Sequence, residues 1–261
     1  MLGLKKKKAV ITGGLGHIGL EIVQTLCEQE VKVLILDNQD HTKISKFSKI
    51  YRLYKNQIDI YKIDLVKSSE IKKLLKYINL KYENIDILIN AIGMVGTNSI
   101  SGWNTDFKNQ SKEAWNQALD VNLTSVFFLI QSMTAVLKKS KNASIINISS
   151  IYADHAPDYD IYSGTSINNP AAYSVSKAGI NYLTKWLAVN LAPKIRVNTI
   201  SPGGIYRNHD KKFVNQYTNR TLLKRMGKES DISGAILYFA SDMSEYVTGQ
   251  NLIIDGGWTI K

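Results

Sequence analysis

Two periodicities alternate along the chain. Short β-rich apolar runs stand at Ala9–Thr12, Val31–Leu36, Ile58–Ile63, Ile85–Asn90, Ser144–Ile148, Ile195–Ile200 and Asn251–Ile254. They show little polar alternation, as strands buried on both faces do. Between them, positions 17–29, 40–55, 68–81, 111–139, 171–192 and 229–241 carry apolar side chains at helical spacing. Strand and helix in alternation call for a parallel sheet with helices on both faces, because each parallel return needs a crossover. The predicted fold class is α/β, a doubly wound Rossmann-type sheet of about seven strands. No Pro/Gly/Ser-rich linker and no internal repeat divides the chain, so residues 1–261 are read as a single domain.

Composition narrows the setting. A hydrophobic content of 44% is that of an ordinary globular protein. Cys27 stands alone, which excludes an intrachain disulfide framework and points to a reducing cytoplasm. No apolar run approaches the ~20 residues of a membrane helix. The apolar stretch after Lys5–Lys8 is also too short for the ~7–15-residue core of a signal peptide, so no membrane partner is expected. The net charge of +11 would suit a nucleic acid, an acidic surface or an anionic small substrate. The basic residues are scattered, however, in Lys43/Lys46/Lys49, Lys72/Lys73/Lys76 and Lys138/Lys139/Lys141. Solvated helix faces look like this, and no nucleic-acid partner is expected.

The chemistry begins directly after the first strand, in Thr12-Gly13-Gly14-Leu15-Gly16-His17-Ile18-Gly19. Gly14-x-Gly16-x-x-Gly19 fits the dinucleotide fingerprint, with Gly13 as an extra. Glycines there allow a tight turn, close approach of backbone N–H groups to a pyrophosphate, and packing of helix on strand. The helix N-terminus adds its positive dipole end. Asp37 closes the second strand 18 residues beyond Gly19, near the ~20 expected for the carboxylate that binds the adenosine ribose. It would repel a 2′-phosphate, so NAD is favoured over NADP.

Tyr173 and Lys177 stand four apart on a predicted helix and share a face. A free phenol titrates near ~10, too high for an efficient base near neutrality. A nearby ammonium stabilises the phenolate, and an oxidised nicotinamide ring would add to this. Ser149 and Ser150 end the fifth strand in "IINISS", at the carboxyl edge where open parallel sheets bind ligands. Tyr-x-x-x-Lys alone is a common accident. It gains meaning from the glycine turn and from these serines.

With these residues in view, the chain resembles the classical short-chain dehydrogenases/reductases from Ala9 to Trp258. The likeness rests on the glycine turn, "NAIG" at Asn90–Gly93, Asn122 in "LDVNL", Ser150 with Tyr173-x-x-x-Lys177, "SPGGI" at Ser201–Ile205, and the ending "YVTGQNLIIDGGW". The resemblance implies that Tyr173 is the acid/base, and that Lys177 binds the nicotinamide ribose and lowers the tyrosine pKa. It also implies that Ser150 orients the reacting oxygen and that Asn122 holds a water in a proton relay. Asp64 and Leu65 would lie by adenine, and Asn90 and Ala91 by the adenosine ribose, with Gly93 in the same stretch. Ile205, after Pro202-Gly203, would offer backbone groups to the nicotinamide carboxamide. Gly13, Gly14, Gly16, His17, Ile18, Gly19 and Asp37 complete the expected cofactor set. No metal is expected. The family forms dimers or tetramers through the helices around 111–139 and 171–192, so a homo-oligomer is expected.

Three departures stand out. His17 occupies the place of the family's middle glycine, and Gly16 comes one residue early, a spacing similar to that of the extended branch with its nucleotide-sugar epimerases. His17 is expected to point away from the turn, partly exposed. The usual threonine after Pro-Gly is missing from "GGIYRNHD". Ser150 and Tyr173 are separated by 22 residues, an insertion at about 151–169 rich in Tyr, Asp and Asn. Such residues can bond many hydroxyls and pack on a sugar ring; a surface or subunit-contact insertion is the alternative. The insertion and "SPGGIYRN" also resemble bacterial oxidoreductases associated with flagellin glycan and nonulosonic-acid biosynthesis.

The sequence thus reads as an NAD(H)-dependent oxidoreductase interconverting a secondary alcohol and a ketone. Its expected substrate is polar and sugar-like, with phosphorylated sugars among the candidates. Tyr152, Tyr159 and Arg207 are the candidate substrate residues, the last on an expected lid at about 203–223. Two rivals are an extended-branch epimerase or dehydratase on nucleotide sugars, and a non-catalytic dinucleotide sensor or scaffold. The absence of residues for a substrate domain beyond "IDGGW" weighs against the first. Retention of Asn122, Ser150, Tyr173 and Lys177 together weighs against the second.

Overall fold

A computed structural model describes residues 2–95 and 100–261. The strands are β1 (Lys8–Thr12), β2 (Lys32–Asp37), β3 (Ile58–Lys62), β4 (Ile87–Asn90), β5 (Ala143–Ile148), β6 (Ile195–Pro202) and β7 (Asn251–Ile254). The helices are α1 (His17–Cys27), α2 (Ser45–Tyr54), α3 (Ser68–Lys81), α4 (Lys112–Leu119), α5 (Ser125–Leu137), α6 (Ala171–Leu191), α7 (Lys211–Arg220) and α8 (Ser233–Ala240). The strands form one sheet in the order β3-β2-β1-β4-β5-β6-β7, every pair parallel. The order reverses between β1 and β4, which opens a crevice at their carboxyl ends.

Side-chain alternation splits the core into two layers. Ile11, Ile35, Ile89 and Ile146 face α1, α2 and α8, where Leu20, Ile22, Phe47, Ile50, Ile236 and Phe239 cover them. Val10, Leu34, Leu88, Ile145 and Val197 face Leu74 and Ile78 of α3, Leu129 and Met133 of α5, and Ile180 and Leu187 of α6. Successive strand residues point to opposite faces, so a strand buried on both faces needs the continuous apolar runs seen in the sequence.

The structure changes the predicted helices in four places. The stretch 40–55 begins with a 3₁₀ turn at His41–Lys43 and becomes α-helical only at Ser45. The stretch 111–139 is broken by a π turn at Asp120–Thr124, which joins α4 to α5. The joined run Lys112–Leu137 is long and apolar enough by length and composition to cross a membrane, yet Leu129, Ile130 and Met133 are fully buried against the sheet. The segment 229–241 opens with a 3₁₀ turn at Glu229–Ile232 before α8. Helix α7 is new: its apolar residues Phe213, Val214 and Tyr217 are too few among polar neighbours to show a clear period.

Candidate active site

The turn after β1 is held by the chain's own packing at Gly13, Gly14 and Gly19, a Cβ on Gly14 standing 2.9 Å from Ile35 Cγ2. Gly13 has φ +64°, and a Cβ there would stand 2.9 Å from the Ala91 carbonyl oxygen. A Cβ on Gly19 would drive into the Gly13 carbonyl. Gly16 differs, since a Cβ there would meet only the Gly13 oxygen, at 3.2 Å, and would otherwise project into open space. Gly16 also caps α1 without a side-chain bond, and no acidic residue lies in the first turn. The first N–H groups of α1 are thus left to an anion. Ile18 packs partly buried against the sheet core. The His17 side chain is 66% exposed and points out of the turn, its Nδ1 3.6 Å from Glu229 Oε1. Burial and then the Arg207 cation hold its pKa below the ordinary 6.5, with Glu229 opposing. An imidazole is tolerated here because it leaves the crevice free.

Asp37 is buried at the end of β2, and its carboxylate binds the turn directly. One oxygen accepts the Leu15 N–H at 3.0 Å and the other accepts the Gln39 N–H at 3.0 Å. Each oxygen keeps a second lone pair. Beyond β3, Asp64 accepts the Val66 N–H at 3.1 Å and faces Lys67 Nζ at 3.4 Å, while Leu65 is buried in the α3-side core. At the end of β4, Asn90 donates to Asn147 Oδ1 at 2.8 Å, and its own Oδ1 is buried without a partner. The Ala91 N–H donates to the Thr12 carbonyl at 3.2 Å. Gly93 is exposed, and a Cβ on it would sit 3.5 Å from Lys177 Nζ and 3.8 Å from Asn122 Oδ1.

Four residues converge beside Gly93. Lys177 is buried on α6, and its Nζ donates to the Ile148 carbonyl at 2.9 Å. That Nζ lies 5.9 Å from the centre of the Tyr173 ring, one helical turn earlier. Tyr173 packs on Met94, Trp103, Ala114, Ala118 and Ala172. Ser150, just after β5, accepts the Tyr152 N–H at 3.2 Å. Asn122 lies in the π turn, where its Oδ1 accepts the Met94 N–H at 2.6 Å and its Nδ2 donates to Ser176 Oγ at 2.9 Å. The amide thereby ties the loop after β4 to α6.

Burial dominates the electrostatics of the ligand-free site. Without a ligand, burial pushes the Tyr173 phenol above its ordinary value of 10, and the Ser150 hydroxyl and the Arg207 guanidinium oppose this. Burial lowers the pKa of Lys177 from 10.5 to about 8, because among the described residues no carboxylate pairs with the ammonium in the interior.

The insertion and the lid segment pack on each other. Ile151 and Ile161 meet Phe213 and Tyr217 of α7, Met226 and Trp258 in a separate apolar cluster. Tyr162 stacks on Phe213 at 5.7 Å, and Tyr217 on Trp258 at 6.2 Å. Gln216 donates to the Asp160 and Ser163 carbonyls, and Arg220 pairs with Asp158 at 3.3 Å. The Tyr152 hydroxyl is 2.7 Å from that of Tyr162. Tyr159 is 56% exposed, and its hydroxyl donates to the Asn169 carbonyl at 3.3 Å. Pro202 and Gly203 close β6, and the Gly203 N–H donates to Ile254 at 2.9 Å. Ile205, in turn, bridges to Gly227.

Sequence reasoning missed a buried polar chain behind the site. Asn147 donates to Thr184 Oγ1 at 2.8 Å, and Thr199 donates to the same oxygen at 2.7 Å. With Asn90 this links β4, β5, α6 and β6. The polar Asn147 inside the apolar run "IINI" was the available signal, since a buried amide needs partners.

Comparisons with known proteins agree with this geometry. The family model described as Enoyl-(Acyl carrier protein) reductase matches residues 15–259. Post-translational flagellin modification protein A of Campylobacter coli is 30% identical over 258 residues, 98% of this chain and 99% of that protein. A 3-oxoacyl-(acyl-carrier-protein) reductase of Buchnera aphidicola is 31% identical over 259 residues, 97% of each chain. The crystal structure of a short chain dehydrogenase from Leptospira borgpetersenii with bound NAD+ is 37% identical and superposes with a TM-score of 0.85, covering 98% of this chain and 93% of that one. With a parallel seven-stranded sheet, a glycine turn at its switch point and Ser150, Tyr173 and Lys177 gathered at its carboxyl edge, the chain belongs to the short-chain dehydrogenase/reductase family of oxidoreductases.

Proposed function

We propose that the protein uses NAD(H) to interconvert a secondary alcohol and a ketone on a polar, sugar-like substrate. The observation that carries this reading is the convergence of Tyr173, Ser150 and Lys177 beside the exposed Gly93, at the end of a crevice headed by the glycine turn. The residues present fit a dinucleotide. Gly16 leaves space over the free N–H groups of α1, and Gly93 leaves space over Lys177 Nζ. A bound nicotinamide would supply the hydride donor or acceptor.

The chain's own residues handle the proton and the geometry. In the reducing direction the Tyr173 phenol gives its proton to the substrate oxygen as the carbonyl carbon gains hydride; in the oxidising direction it takes that proton back. Ser150 donates a hydrogen bond to the same oxygen. Lys177 presents N–H donors to the nicotinamide ribose. Asn122 holds the loop after β4, and its π turn frees a backbone carbonyl from the helical ladder to hold a water. Gly13, Gly14, Gly16 and Ile18 form the pyrophosphate turn. Asp64 and Leu65 border adenine, Asn90 and Ala91 the adenosine ribose, and Pro202, Gly203 and Ile205 the carboxamide. Tyr152 borders the substrate, since its backbone bonds Ser150. Residues 1–261 act as one domain, with the 151–169 insertion and the 203–223 lid on its substrate side. The hydroxyl- and carboxylate-rich insertion supports a sugar-like substrate, and the likeness to a flagellin modification protein is in keeping with it.

NAD is favoured by Asp37, whose remaining lone pairs suit ribose hydroxyls and whose charge opposes a 2′-phosphate. The Leptospira relative was crystallised with NAD+. Asp37→Ser is expected to weaken NAD binding and relax discrimination against NADP, read from the ratio of the two kcat/KM values. A wild-type preference for NADP would refute this assignment. The protein is also proposed to be a homo-oligomer through α5 and α6, whose outer faces expose Phe128, Tyr182, Trp186 and Val189. Trp186→Glu should shift the species seen by light scattering to a smaller mass; an unchanged mass would place the interface elsewhere.

The function is tested by following nicotinamide absorbance with a panel of free, phosphorylated and nucleotide-linked sugars. Net NADH change with a secondary alcohol or ketone product is the expected result. The Gly14-x-Gly16-x-x-Gly19 spacing favours one second reading, an epimerase, which would give product without net NADH change.

A further inference from the structure

Arg207 is tied to the mouth of the glycine turn by the backbone around it. The Gly227 N–H donates to the Gly204 carbonyl at 2.9 Å, and the Tyr206 N–H donates to the Gly227 carbonyl at 2.8 Å. Two residues beyond Gly227, Glu229 stands 3.6 Å from His17 Nδ1 in the first turn of α1. Residues 227–229 span no more than about 7 Å, so one short segment links the Arg207 backbone to the N-terminus of α1. The Arg207 N–H is fixed by His209 Nδ1 at 3.2 Å, which limits where the side chain starts.

The guanidinium itself is unsatisfied. Among the described residues it makes no ion pair with a carboxylate, and its Nε is buried without a hydrogen-bond partner. A buried Arg nitrogen without an acceptor is costly, so an acceptor is expected from a ligand. The surroundings are cationic: Arg207 and Lys46 both depress the pKa of His17, and Glu229 alone opposes them. The backbone link through residues 227–229 puts Arg207 near the first turn of α1, and its charge is felt by both His17 and the Tyr173 phenol. A dinucleotide bound at the glycine turn would bring two negative phosphates to the N-terminus of α1.

We infer that Arg207 binds the pyrophosphate of the dinucleotide, facing the free N–H groups of α1, and that it does not serve a phosphate on the substrate. The inference rests on the dinucleotide reading above. It turns a residue first expected to read the substrate into one that holds the cofactor, through a planar fork of donors suited to phosphate oxygens.

The test compares wild type with R207A, R207Q and R207K. NADH binding is read by fluorescence, and ADP-ribose and adenosine binding by calorimetry. R207A and R207Q are expected to raise the Kd for NADH and ADP-ribose roughly ten- to hundredfold, the range for a lost charged hydrogen bond. Adenosine, which lacks the pyrophosphate, should bind as to wild type, and R207K should recover part of the loss. Added KCl should weaken NADH binding less steeply in R207A than in wild type. Unchanged NADH and ADP-ribose affinities in R207A and R207Q would overturn the inference and leave the guanidinium to a substrate anion. An equal loss for adenosine would overturn it as well, by showing general damage to the crevice. Failure of the wild type to bind NADH would instead refute the dinucleotide reading.

Discussion

Tyr173→Phe is expected to lower turnover by roughly 10²–10⁴-fold, the usual contribution of a positioned acid–base group, while NADH still binds. The ring sits on Met94, Trp103, Ala114, Ala118 and Ala172. Phenylalanine keeps that packing, so the loss isolates the hydroxyl. Burial already holds this phenol above its ordinary pKa in the free protein, against the pull of Ser150 and Arg207. A phenol so held stays protonated in the free protein, and it needs further positive charge nearby to ionise and serve as a base. The oxidising direction should therefore show the stronger dependence on pH, rising as the phenol ionises in the loaded enzyme. Single-turnover rates and the NADH Kd of the variant are the measurements. Wild-type turnover in Tyr173→Phe would remove the proton path proposed here.

Lys177→Met is expected to abolish most turnover and yet to stabilise the ligand-free fold. Lys177 is buried, among the described residues only the Ile148 carbonyl is bonded to its ammonium, and its pKa falls from 10.5 to about 8. The unfolded chain holds this proton up to about pH 10.5, whereas the folded chain releases it near pH 8. Between these values the unfolded state binds more protons, so stability rises with pH. Below pH 8 both states are charged, and the folded state carries the full penalty of up to ~3 kcal/mol. The lost bond to Ile148 would offset about 1 kcal/mol of the gain on substitution. At pH 7 the unfolding midpoint of Lys177→Met should thus rise by about a few degrees. The advantage should shrink as the pH climbs from 8 to 10.5. A midpoint lower than wild type at pH 7 would show that the ammonium is stabilising, and the argument would fail.

The division between what the sequence determined and what it left open follows the range of the interactions. The strands were legible as short β-rich runs: helices cover both faces of β1, β2, β4 and β5, whose residues are nearly all buried, whereas the edge strands β3 and β7 are only partly buried. The glycine turn was legible because a positive φ at Gly13 and the packing of Gly19 on its carbonyl admit no side chain. Tyr173 and Lys177 were legible as a pair because helical spacing alone places them on one face. Helix α7 was not legible: its stability comes from Ile161, Tyr162 and Trp258, which are distant in sequence. The π turn at Asn122 depends on Met94 and Ser176, brought together by β4 and α6. The lowered pKa of Lys177 was not legible in local spacing, because it is set by the protein mass around the ammonium. Arg207 was placed at the substrate by its position in the chain. The inferred role at the pyrophosphate draws instead on the pairing of residues 204–206 with Gly227, a contact between residues more than twenty apart that no local pattern announces. Local periodicity and steric exclusion are written residue by residue, so the sequence by itself determined the sheet, the turn and the Tyr-Lys pair. Burial and long-range approach exist only once the chain has folded, so the tertiary structure alone decided the burial of Lys177 and the docking of insertion on lid.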